Sequence, residues 1–126
     1  MLRRKSHRRR RGAQTVEFAI AAPVLFFFVM ASVEFGRMNM VRHSLDNAVY
    51  EGVRRGLVVN STSANVTSTV TSILTAAAVR NPTVTSTITE DDVTVTATVN
   101  MNDNSWMTPV FFKNRTLTST LKLNRR

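Results

Sequence analysis

Sixteen successive residues without a charge, Phe18 to Val33 (FAIAAPVLFFFVMASV), lie between Glu17 and Glu34 and constrain this chain more than any other feature. Extended back to Gly12, the stretch covers 22 residues with a single ionisable group. As a helix it rises ~33 Å, the hydrocarbon thickness of a bilayer. Three consecutive phenylalanines, Phe26 to Phe28, and the lack of a polar face argue against a core helix of a soluble protein. The pattern predicts a transmembrane helix over residues 13–35.

The charge distribution orients that helix. Lys plus Arg number 17 against 8 Asp plus Glu, a formal +9, but seven cations (Arg3, Arg4, Lys5, Arg8, Arg9, Arg10 and Arg11) precede the apolar run. By the positive-inside rule, residues 1–12 form a basic cytoplasmic leader and residues 36–126 lie across the membrane. The remaining chain carries ten cations and eight anions, which argues against a nucleic-acid-binding fold with a basic face. With no Cys, disulfides, thiolate metal sites and cysteine nucleophiles are excluded. Two distant histidines, His7 and His43, argue against a zinc site.

Two residues within the predicted span need a physical account. Pro23 cannot donate to the carbonyl of Ala19, so a kink or loosened turn is expected there. Glu17 is the costlier residue, since a carboxylate at mid-bilayer is penalised by roughly 2.5–3.5 kcal/mol, less near the interface. Either it sits at headgroup depth, or it meets a positive charge supplied later. Cutting between Gly12 and Ala13 would supply one, an α-amino group with a pKa of about 8. Glu17 would then stand one helical turn from that ammonium, in the first turns of the helix where the macrodipole favours an anion. The same ammonium on a neighbouring subunit could serve equally.

The string Gly12-Ala13-Gln14-Thr15-Val16-Glu17-Phe18, the apolar run with Pro23, and Val33-Glu34-Phe35-Gly36-Arg37 resemble the N-terminal region of the TadE-like pseudopilins. That family serves the tight-adherence (Flp-type, type IVb) branch of pilus machinery, and the resemblance covers roughly residues 9–57. It implies a minor pseudopilin cleaved after Gly12 by a prepilin-type peptidase, with Glu17 in the fifth mature position and Phe18 as the aromatic that follows. Ala13, Glu17 and Phe18 would then be assembly residues. The implied partners are the peptidase, other pilins and pseudopilins, and the inner-membrane pilus assembly platform. The implied location is the bacterial inner membrane, single-pass, or a cell-surface pilus or its base.

Two other readings compete on the same residues. Val29-Met30-Ala31 is a tolerable signal-peptidase site, which would release a secreted protein, although it leaves Glu17 unexplained. An uncleaved anchor could instead use its arginines to bind anionic lipid or nucleic acid.

Beyond the span, an α+β domain is expected. Met38, Val41, Leu45, Ala48 or Val49, Gly52 or Val53, and Gly56 recur at helical spacing, with Arg37, Arg42, Asp46, Glu51, Arg54 and Arg55 mainly off that stripe. This predicts a helix over 36–57 continuous with the span. Gly52 and Gly56 either allow a close helix contact or, at Gly56, help end the helix. Val66, Val70, Ile73, Leu74, Ala77 and Ala78 predict a second helix over 62–79, ended by Asn81-Pro82. Period-two alternation then predicts strands at 83–89, 93–101 and 116–123, in a small antiparallel sheet packed on helix. Glu90-Asp91-Asp92 reads as a turn rather than a metal or acid–base site. Trp106, Pro109 and Phe111-Phe112 fall in a longer connection, the aromatics as core or edge packing. No catalytic residues, cofactor, metal or small-molecule substrate are indicated.

Overall fold

The computed structural model describes residues 8–106 and 112–125, with the backbone alone for residues 8–11. The expectations for Arg3, Arg4, Lys5, Pro109 and Phe111 lie outside the described residues. The fold is α+β, with helix α1 (Arg8–Gly56), helix α2 (Ser63–Ala76), strands β1 (Thr83–Ile88) and β2 (Asp92–Asn100), a short helix α3 (Met101–Asn104) and strand β3 (Thr116–Asn124). The chain divides into two units between Val33 and Glu34, with α1 contributing to both.

In the first unit α1 stays helical on both sides of Pro23. Its most apolar 18-residue window has no residue buried within the protein. Length and apolarity suffice for this helix to cross a membrane. Near the end of the run, Ser32 returns its hydroxyl to the carbonyl of Phe28 at 2.8 Å. That local bond lets a polar side chain remain in an apolar helix.

In the second unit the expected stripe of α1 is buried. Val41, Leu45, Ala48, Val49 and Val53 join Val66, Val70 and Leu74 of α2 and Val93, Val95, Ala97 and Val99 of β2 in one core. The two glycines sit where α1 comes closest to its neighbours. A Cβ on Gly52 would collide with Val70, and one on Gly56 would lie 2.6 Å from Val93 Cγ1. Both alternatives that the sequence left open are met: the glycines lie close against α2 and β2, and α1 ends at Gly56.

Helix α2 starts at an N-cap, Thr62, whose hydroxyl accepts from the amide of Asn65 at 3.3 Å. Its threonines would compete with the backbone, yet Thr69 and Thr75 donate to the carbonyls four residues earlier, Asn65 and Thr71. The helix ends three residues before the expected limit of 79. Ala78 adopts a left-handed conformation with φ 55°, and the amide of Val79 returns to the carbonyl of Leu74 at 2.9 Å. This reversal turns Val79 into the core instead of extending the helix.

The three strands form an antiparallel sheet in the order β1-β2-β3. Register pairs Ser86 with Val95 and Val95 with Leu121, so the apolar set of each strand falls on one face. The other face is threonine-rich, with Thr96 and Thr120 hydroxyls 3.0 Å apart and those of Thr98 and Thr118 3.2 Å apart. The acidic turn is shorter than expected. Asp92 already belongs to β2, where it pairs with Lys122 of β3 at 2.8 Å, and the amide of Thr89 bonds to its carbonyl. At the far end, β2 stops at Asn100 rather than 101. The Asn100 side chain caps α3 by accepting from the amide of Asn102 at 2.9 Å, which removes Met101 from the strand.

Candidate functional site

Gly12, Ala13, Glu17, Phe18 and Pro23 all lie on α1 in the first unit, in helical conformation. A Cβ on Gly12 would meet nothing within 4 Å, and Phe18 is 72% exposed. Glu17 shares a face with Ile20, Ala21, Val24, Leu25 and Phe28, the sequence spacing of one side of a helix. The carboxylate therefore heads an otherwise apolar stripe. Such a stripe with one anion at its end is a surface for lipid or for other apolar helices. A charge buried in either setting is costly, and a cation beside it offsets that cost.

A second polar group lies where the second unit begins. Glu34 and Arg37, three residues apart on α1, are 2% and 4% exposed. Ser105 donates to Glu34 Oε2 at 2.6 Å. Arg37 donates through Nε to the carbonyl of Asn104 at 3.0 Å and through Nη2 to the carbonyl of Ala78 at 2.6 Å. Its guanidinium also lies 5.2 Å from the centre of the Trp106 ring, a cation–π arrangement. Asn104 completes the group by bonding both peptide groups of Arg80, accepting from the amide at 2.7 Å and donating to the carbonyl at 2.9 Å. A single arginine thus ties α1 to the end of α2 and to α3. Burial first, and then the charge of Arg80, push the Arg37 guanidinium below its ordinary pKa, while Glu34 pulls the other way.

This cluster corrects one expectation and decides between core and edge packing for Trp106. Arg37 does not lie off the buried stripe; it continues it, because 34, 37, 41, 45, 48, 52 and 56 follow the same three-and-four spacing. The signal was present in the spacing and was hidden by the ordinary rule that charged residues face water. Trp106 is not in the core. It is 65% exposed, with one face turned to Arg37. Phe112, by contrast, packs against the core and meets Phe35 edge to face at 5.0 Å. Among the described residues, no group of three or more His, Cys, Asp or Glu side chains is placed to hold a metal ion.

Residues 12–54, about a third of the chain, match the family of TadE-like proteins. The matched stretch contains Gly12, Ala13, Glu17, Phe18 and Pro23 and also Glu34 and Arg37. It ends within the last turn of α1. No curated protein and no solved structure matches the chain.

Proposed function

We propose that this chain is a minor pseudopilin in the biogenesis of a type IVb tight-adherence pilus, a structural rather than catalytic component. The observation that carries the reading is the coincidence of the TadE-like match with an apolar, uncovered helix holding one carboxylate near its start. The basic leader holds the precursor in the inner membrane with its N-terminus in the cytoplasm and residues 36–126 on the other side. A prepilin-type peptidase then cuts between Gly12 and Ala13. Both residues are helical, so the first turns of α1 must open for the cut, and Gly12 lowers that cost by about 1 kcal/mol relative to Ala.

Cleavage does two things at once. It removes the seven cations of the leader, which anchor the helix at the cytoplasmic surface. It also creates an ammonium at Ala13, one turn from Glu17. Paired with that ammonium on its own or a neighbouring subunit, Glu17 is neutralised in an apolar setting, which favours association of helices over isolated insertion. Phe18, Ile20, Val24 and Phe28 then supply the apolar contact with other pilins and pseudopilins.

The test is a Glu17→Ala chain expressed in its own host. The expected outcome is near-normal loss of the leader with at least tenfold less protein in sheared pilus fractions. Normal incorporation of the variant would remove the assigned role of Glu17.

A further inference from the structure

We propose that a cleft beside Arg37 receives the headgroup of a zwitterionic phospholipid, seating the second unit on the bilayer that residues 13–35 cross. The inference rests on the reading of those residues as a membrane span and goes beyond it by naming a lipid partner for the folded unit. The cleft holds about 330 Å³ and is lined by Arg37, Arg80, Asp103, Asn104, Ser105 and Trp106, among others. All of these belong to the second unit.

Three observations point to a headgroup. The first is position along the chain. Arg37 stands only four residues after Val33, the last residue of the uncharged run, where a chain leaving a bilayer meets its headgroups. The second is the aromatic content of the same end. Trp106 is 65% exposed and Phe35 51% exposed, a costly arrangement in water and the preferred one at a membrane interface. The third is charge of both signs. Arg37 forms a buried cationic wall, and Arg80 adds an exposed guanidinium whose side chain has no hydrogen bond or ion pair among the described residues. Asp103 is exposed on the same rim, with Oδ2 accepting from Asn81 at 3.2 Å. A bare anion would be repelled by Asp103. A phosphate carrying a tethered ammonium satisfies both, with phosphate on the guanidinium of Arg80 and ammonium on the carboxylate of Asp103.

The chain has a single tryptophan, so its emission reports this site alone. The full chain is reconstituted in vesicles of phosphatidylethanolamine and phosphatidylcholine, with a nitroxide either on the headgroup or deep in the acyl chains. Trp106 emission should be quenched at least twofold more by the headgroup label than by the deep one. Arg80→Gln and Asp103→Asn, both at exposed positions, should each lower that quenching at least twofold with an unchanged circular dichroism spectrum. Emission quenched by aqueous iodide but not by either label, in protein that resists alkaline extraction, overturns the inference and leaves the span intact. Undiminished headgroup quenching in either variant also overturns it, since the cleft would then not be the seat. Loss of the chain on alkaline extraction would overturn the span and this inference together.

Discussion

Arg37 is the residue on which the second unit depends most. Its side chain is nearly all buried, and it satisfies two carbonyls, Ala78 and Asn104, that belong to different elements. Replacing it with Met keeps the volume but leaves Glu34 buried without its neighbouring cation and both carbonyls without that donor. Removing one partner of such a group costs about 3–5 kcal/mol. Chemical denaturation of the purified chain, followed by circular dichroism, should show a loss of that size for Arg37→Met. A loss below about 1 kcal/mol would mean the cluster is incidental to stability. Lysine is not expected to rescue, because one ammonium cannot span the directions that the planar guanidinium serves. Gly52 is the opposite kind of constraint, one of space. Gly52→Ala places a methyl into Val70, and overpacking of this kind costs about 1–3 kcal/mol even though Ala is the better helix former. A variant as stable as the parent would show that α1 and α2 can move apart freely.

At the scale of elements, the sequence pattern conveyed most of the fold. Val41, Leu45, Val49 and Val53 repeat at helical spacing, and Val93, Val95, Ala97 and Val99 alternate, because in both cases one face meets a core and the other meets water. Where that logic failed, a particular local bond was the cause. Helix α2 ends early because Ala78 takes a left-handed conformation, which no composition rule assigns to alanine. Helix α3 was illegible because it is four residues long and is started by a cap from Asn100, inside what reads as strand and loop. The Glu34–Arg37 pair was legible as spacing and illegible as chemistry, since its cost is offset by Ser105 and Asn104, some 70 residues on in the chain. The start of α2 offers a cleaner test. The Thr62 hydroxyl accepts from the amide of Asn65, so Thr62→Ala should lower stability by about 0.5–2 kcal/mol in the same denaturation experiment. Thr62→Asp should restore it. Equal stability of all three would show that α2 is held by packing alone.

At the scale of the whole molecule, the two units differ in what they require from outside. The second unit buries an apolar core of its own among α1, α2 and the sheet. The first unit buries no residue of its most apolar window, and its helix is long and apolar enough to cross a membrane. The proposed function uses that difference in sequence: lipid covers the helix in the precursor, and the apolar faces of other pilins cover it after the leader has gone. The exchange depends on a charge change at Gly12-Ala13, and it is there that the account is most exposed. Intact mass of the chain recovered from pili or from inner membranes of its own host, compared between cells with and without the prepilin-type peptidase, tests it directly. The account predicts a mature chain beginning at Ala13 when the peptidase is present and the uncut precursor when it is absent. A chain that retains its seven leader cations in assembled material, or that begins at Ser32, would contradict it.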